Sequence, residues 1–119
     1  MAEITYESLS YALIESLPEL RDASDWGTYV REGPHALFSD ALIPWLDALL
    51  RNSGNHEPVL RRTFDFLEAL ATHSDKYIVN LVAVSMLEPL QSRPQALLEA
   101  RHWMGPGTLQ ILADIERGW

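Results

Sequence analysis

Proline, glycine and short polar runs break the chain at close intervals. The segments between them carry apolar residues at three- and four-residue spacings rather than in alternation. That periodicity predicts helices and no sheet. Ile4, Tyr11 and Ile14, with Leu13 and Leu17, form the apolar stripe of a first helix that Pro18 ends or restarts. Pro18 suits the opening turn of a second short helix, with Glu19 and Asp22 near its positive end. The stretch around Trp26, Tyr29 and Val30, bracketed by Gly27 and Gly33-Pro34, reads as irregular. Beyond it, Ser39 or Asp40 caps a helix carrying Leu42, Trp45, Leu46, Leu49 and Leu50, which Asn52-Ser53-Gly54-Asn55 stops. Pro44 is tolerable there only in the first turn.

The clearest amphipathic segment follows. Asn55 caps a helix with Pro58 in its opening turn, in which Leu60, Phe64, Leu67, Leu70 and Ala71 line the core while Arg61, Arg62, Asp65 and Glu68 face water. Ser74-Asp75 caps its successor. There Ile78, Leu81, Val82, Ser85 and Met86 are joined by Tyr77, Val79, Val84 and Leu87, so apolar residues surround the axis and the helix is central. Pro89 closes it, Ser92-Arg93-Pro94 opens another through Leu97, Leu98 and Trp103, and Gly105-Pro106-Gly107 introduces a last one with Leu109, Leu112 and Ile115. The prediction is a single all-α domain over residues 1–119, with six or seven short antiparallel helices in a compact bundle or a small HEAT-like stack. No fixed-period repeat is present.

Composition narrows the partners. A chain of 119 residues with 47% apolar residues supports one core. Without cysteine there is no disulfide, thiolate nucleophile or cysteine metal site. A net charge of −8 repels nucleic-acid phosphates and anionic lipid headgroups, which argues against both as partners. The start lacks the basic region and apolar run of a leader, and no apolar stretch spans a bilayer, so a cytoplasmic location is expected. The charge is uneven: residues 1–50 hold nine acids and two bases, net −7, whereas residues 51–119 hold eight and seven, net −1. The second half is therefore expected to neutralise itself.

Catalytic signatures are missing. No HExxH pair, GxSxG elbow, P-loop or dinucleotide fingerprint occurs, so no catalytic, cofactor or metal residue is assigned and an enzyme is not expected. Glu99-x-x-His102 has the spacing of carboxylate-bridged metal helices, but its only companion, Glu32-x-x-His35, contains Gly-Pro, and a surface ion pair is the favoured reading. Gly105-Pro106-Gly107 is expected to be a tight turn before the final helix, without the donors a phosphate needs. Among the four tryptophans, Trp45 is in phase with Leu42 and Leu49 and belongs to the core, Trp103 seals a turn, and Trp26 lies among acids. Interfaces concentrate energy in a few aromatic groups while rim charges steer approach. Glu19, Asp22, Asp25, Trp26, Glu32, Asp40 and Asp47 are therefore the candidate partner-binding residues, against the alternative that Trp26 plugs a gap between helices.

Three segments carry a resemblance: residues 40–50, Phe64–Leu70 running into Asn80–Glu88, and Met104-Gly-Pro-Gly-Thr-Leu109. They resemble a family of small, acidic, all-helical bacterial proteins of unknown biochemistry, some labelled immunity proteins of polymorphic toxin systems. The resemblance covers about residues 35–117, and the Met-Gly-Pro-x-Thr turn is its most specific part. Taken with the acidic amino-terminal half, it implies a non-catalytic domain that neutralises a cognate toxin by steric and electrostatic blockade, the expected protein partner being a basic toxin domain. The competing expectation is a helical adaptor that takes a peptide or helix in a groove.

Overall fold

Five of the seven prolines open a helix, because a residue without an N–H and with φ already near −65° costs nothing in a first turn. In the computed structural model, which describes residues 4–118, the helices are α1 (Leu9–Ser16), α2 (Pro18–Ala23), α3 (Trp26–Glu32), α4 (34–50), α5 (Glu57–Ala71), α6 (76–91), α7 (Pro94–Ala100) and α8 (Pro106–Glu116). Glu3 of the acidic count and Trp119 lie outside the described residues. The stretch read as irregular is the helix α3, closed by Gly33 at φ 109°, a conformation that favours glycine. The first helix begins later than its stripe suggested. Thr5 and Ser8 exchange backbone-to-hydroxyl hydrogen bonds of 3.0 and 3.2 Å ahead of Leu9, and Ile4 precedes the helix with its carbonyl accepting from His73 Nε2 at 2.8 Å.

The remaining two prolines explain the other misplaced boundaries. Ser39 and Asp40 do not cap a helix, because α4 is already wound from Pro34, and Pro89 does not close α6, which runs on to Gln91. In both helices the segment before the proline is π-helical, Leu37–Leu42 and Val82–Leu87. The residue just before each proline, Ile43 or Glu88, donates its N–H five residues back, to Phe38 or Ala83. The wider turn leaves room for a ring that would strike the carbonyl four residues earlier in an α-helix. The two π segments pack against each other, and His35 Nδ1 lies 2.5 Å from the buried Ser85 Oγ across that seam.

One apolar cluster holds the helices together. Leu13, Leu20, Phe38, Leu42, Leu46, Leu60, Leu70, Ile78 and Leu112 are fully buried within it. The stripe predicted for α5 is buried, and α6 is central, but Tyr77 and Val84 on α6 are 74% and 41% exposed rather than enclosed. The radius of gyration of 13.2 Å and extents of 32 × 31 × 26 Å are those of a compact bundle.

The glycine turn before α8 has a structural purpose that composition hid. Glu68 on α5, expected in water, is half-buried. Its carboxylate accepts from Gly107 N (2.7 Å), Thr108 N (2.9 Å) and Thr108 Oγ1 (2.8 Å), so it caps α8 from another helix. The turn does offer amides to an anion, and the chain supplies that anion itself. A Cβ on Gly105 would lie 2.5 Å from Glu68 Cδ, and one on Gly107 would lie 2.5 Å from Thr72 Cγ2 and 2.9 Å from Glu68 Oε2. Burial pushes the Glu68 carboxyl up, but the three donors outweigh it and hold it below the ordinary glutamate range.

Candidate functional site

Tyr11 is the residue that apolar spacing misplaced most. On α1, Leu9, Leu13 and Ile14 turn inward, while Tyr11 is 60% exposed. Its ring stands edge-on to Trp26, with centroids 6.3 Å apart and planes at 80°. Trp26 is half-buried against the core at the start of α3, so it fixes the tyrosine from behind without filling the position itself. Glu15, one turn further along α1 on the same side as Tyr11, and Glu7 in the preceding turn are exposed. Asp25 and Glu32, at the two ends of α3, are exposed as well, and Asp25 Oδ2 accepts from Thr28 Oγ1 at 2.7 Å. The structure thus joins α1 and α3 through an aromatic pair, with exposed carboxylates one turn either side of Tyr11 and at the two ends of α3, where Arg31 is exposed as well.

The other candidate acids fare differently. Asp22 is exposed beside Arg21 at 3.5 Å, and Asp40 is exposed and accepts from Ser39 Oγ at 3.0 Å. Glu19 is exposed but paired with Arg62 of α5, whose guanidinium holds its carboxyl below the ordinary range. Asp47 is only 5% exposed and leaves the surface set altogether. Arg51 first, and then Arg93, hold its carboxyl down against the desolvation that would raise it. Three arginines of the second half, Arg51, Arg62 and Arg93, therefore serve carboxylates of the first, and the second half does not neutralise itself.

Several clefts indent the surface of the described residues. One of about 340 Å³ gathers Glu57, Arg61, Asp65, Glu99, His102 and Trp103, but Glu99 accepts from Ser53 Oγ at 2.8 Å. Arg61 lies over the Trp103 ring at 5.8 Å. Among the described residues no three His, Asp or Glu side chains are placed to hold a metal ion, and no helix is long and apolar enough to cross a membrane. A second cleft, of about 410 Å³, is lined by Trp45, Leu49, Pro58 and Val59 with Glu19 and Arg62 at its edge. Trp45 is thus half-buried rather than wholly in the core. A third, of about 310 Å³, lies beside Asp47.

Residues 11–119 match the family model of a domain of unknown function, DUF7674, and the chain belongs to that family. The match begins at Tyr11 and so includes the acidic amino-terminal helices that the earlier resemblance left out. No curated protein and no solved structure matches the chain.

Proposed function

We propose that this DUF7674 domain is a non-catalytic protein-binding module that captures a basic protein on the Tyr11–Trp26 face. In its finer form the partner is a cationic bacterial toxin domain, neutralised by being covered. The observation that supports the reading is the exposed Tyr11 ring standing edge-on to Trp26, with the exposed Glu7 and Glu15 one turn either side of it. A tyrosine already fixed by a neighbour offers large contact area at small entropic cost. Carboxylates around it accelerate the approach of a cationic partner and disfavour anionic ones. The adaptor reading is favoured by one feature, the apolar cleft between Trp45, Leu49, Pro58 and Val59.

Site-specific photo-cross-linking separates the two. A benzophenone amino acid is placed at position 11 or at position 49 in the native host, and adducts are identified by mass spectrometry. The proposal expects one basic protein from position 11, with a yield that falls when Glu7, Glu15, Asp25 and Glu32 become amides. Adducts from position 49 alone would favour the groove, and an acidic partner at position 11 would refute the electrostatic capture.

A further inference from the structure

The described ion pairs match one carboxylate with one arginine at Arg21–Asp22, Arg62–Glu19, Arg101–Glu116 and Arg117–Asp114. Asp47 departs from that balance. Its Oδ1 accepts from Arg51 Nε at 3.1 Å, and its Oδ2 accepts from Arg51 Nη2 at 3.4 Å and from Arg93 Nη1 at 2.5 Å. Two guanidiniums, one just past the end of α4 and one just before α7, converge on one buried carboxylate, and the local sum is one positive charge in a chain of −8. A guanidinium carries five N–H donors, so among the described residues three on Arg51 and four on Arg93 have no acceptor. Both arginines line the cleft of about 310 Å³, and Asp47, its only acidic lining residue, is already engaged. Ser92 brings no donor there, because its hydroxyl donates to the Pro89 carbonyl at 2.7 Å.

We infer that this cleft is an oxyanion site for phosphate or a phosphomonoester, held by the guanidiniums of Arg51 and Arg93 with Asp47 as their positioning residue. A planar fork matches phosphate oxygens in pairs, and a buried carboxylate fixes both forks before the ligand arrives. Its volume leaves room for a small organic group on the phosphate. The site uses α4 and α7 and is independent of the Tyr11–Trp26 face.

The test follows the arginine side-chain Nε–H resonances of the full chain by NMR during titration with inorganic phosphate, phenyl phosphate or acetate at constant ionic strength. Saturable shifts of Arg51 and Arg93 with both phosphates and not with acetate are expected. Arg51→Gln should weaken phosphate about tenfold, the loss of one charge-assisted contact, while Arg93 still engages Asp47. Arg51→Lys, keeping the charge without the fork, should weaken it less, and Arg117→Gln should leave it unchanged. Absence of saturation, equal binding of acetate, or equal weakening by Arg117→Gln would overturn the site. Backbone spectra of each variant confirm the fold, and Arg93→Gln gives the same reading from the other side of the cleft.

Discussion

Alanine at position 105 is predicted to cost stability only while residue 68 carries its carboxylate. Gly105 has φ −80° and ψ 174°, which any L residue adopts, so alanine there should otherwise be neutral or stabilising by about 0.5 kcal/mol. Its Cβ, however, would lie 2.5 Å from Glu68 Cδ and 2.6 Å from Glu68 Oε1, with no other side chain or backbone among its nearest neighbours. Glu68 must swing away and abandon two amides and a hydroxyl at the start of α8. Loss of a cap costs roughly 1–2 kcal/mol, and charged hydrogen bonds at a half-buried site raise the sum to about 2–3 kcal/mol. For a domain of this length that is a fall in Tm of about 10 °C. Glu68→Ala should cost a similar amount, and adding Gly105→Ala to it should cost nothing. Urea denaturation of the four proteins measures the coupling directly. Costs that add within about 0.5 kcal/mol would refute the remote cap. The same contact sets a pH dependence. The folded-state carboxyl titrates below its unfolded value, so its stabilisation is complete above the ordinary glutamate range and disappears as pH falls through the lowered value. The gap between wild type and Glu68→Gln should therefore close in acid, and a gap that widens there would contradict the sign.

Further outcomes follow from burial and pairing. Asp47→Ala should destabilise by about 2 kcal/mol in urea, less than a fully buried broken pair because both arginines can return to water. Arg51 above all lowers the Asp47 carboxyl, so that contribution should also be present at neutral pH and vanish as acid protonates the lowered carboxyl. Phe38→Ala, at a fully buried ring on the π segment of α4 that packs against α3 and α6, should cost about 3–5 kcal/mol by thermal or urea unfolding. Tyr11→Ala should leave stability within about 0.5 kcal/mol by the same assay while removing partner capture, which separates a contact residue from a structural one.

Helix content, the buried stripe of α5 and the central place of α6 were legible because periodicity reports burial directly. The Asp75 cap was legible too, and its Oδ1 accepts from Tyr77 N at 2.9 Å. The starts of α4 and the end of α6 were not, since proline reads locally as a boundary and nothing local announces that a π turn makes room for it. Glu68 and Asp47 escaped for another reason. The partners of Glu68 lie about 40 residues away in sequence, and although Arg51 stands one turn from Asp47, the Arg93 that joins it lies 46 residues away, so nothing in the spacing separates either carboxylate from one facing water. The exposure of Tyr11 was concealed by its place in an apolar rhythm, although tyrosine flanked by Glu7 and Glu15 at four-residue steps could have been read as an outward face. Charge counting marks the amino-terminal half as acidic, but it could not tell the carboxylates that stay open, such as Asp25 and Glu32, from those claimed by Arg51, Arg62 and Arg93.

The most direct measurement is the association rate between this domain and the protein cross-linked at position 11, by stopped flow across a range of salt. Wild type should associate faster as ionic strength falls, and the quadruple amide variant at Glu7, Glu15, Asp25 and Glu32 should associate about tenfold more slowly at low salt with a flatter dependence. Equal rates and equal salt slopes for the two proteins would contradict capture of a basic partner by this face.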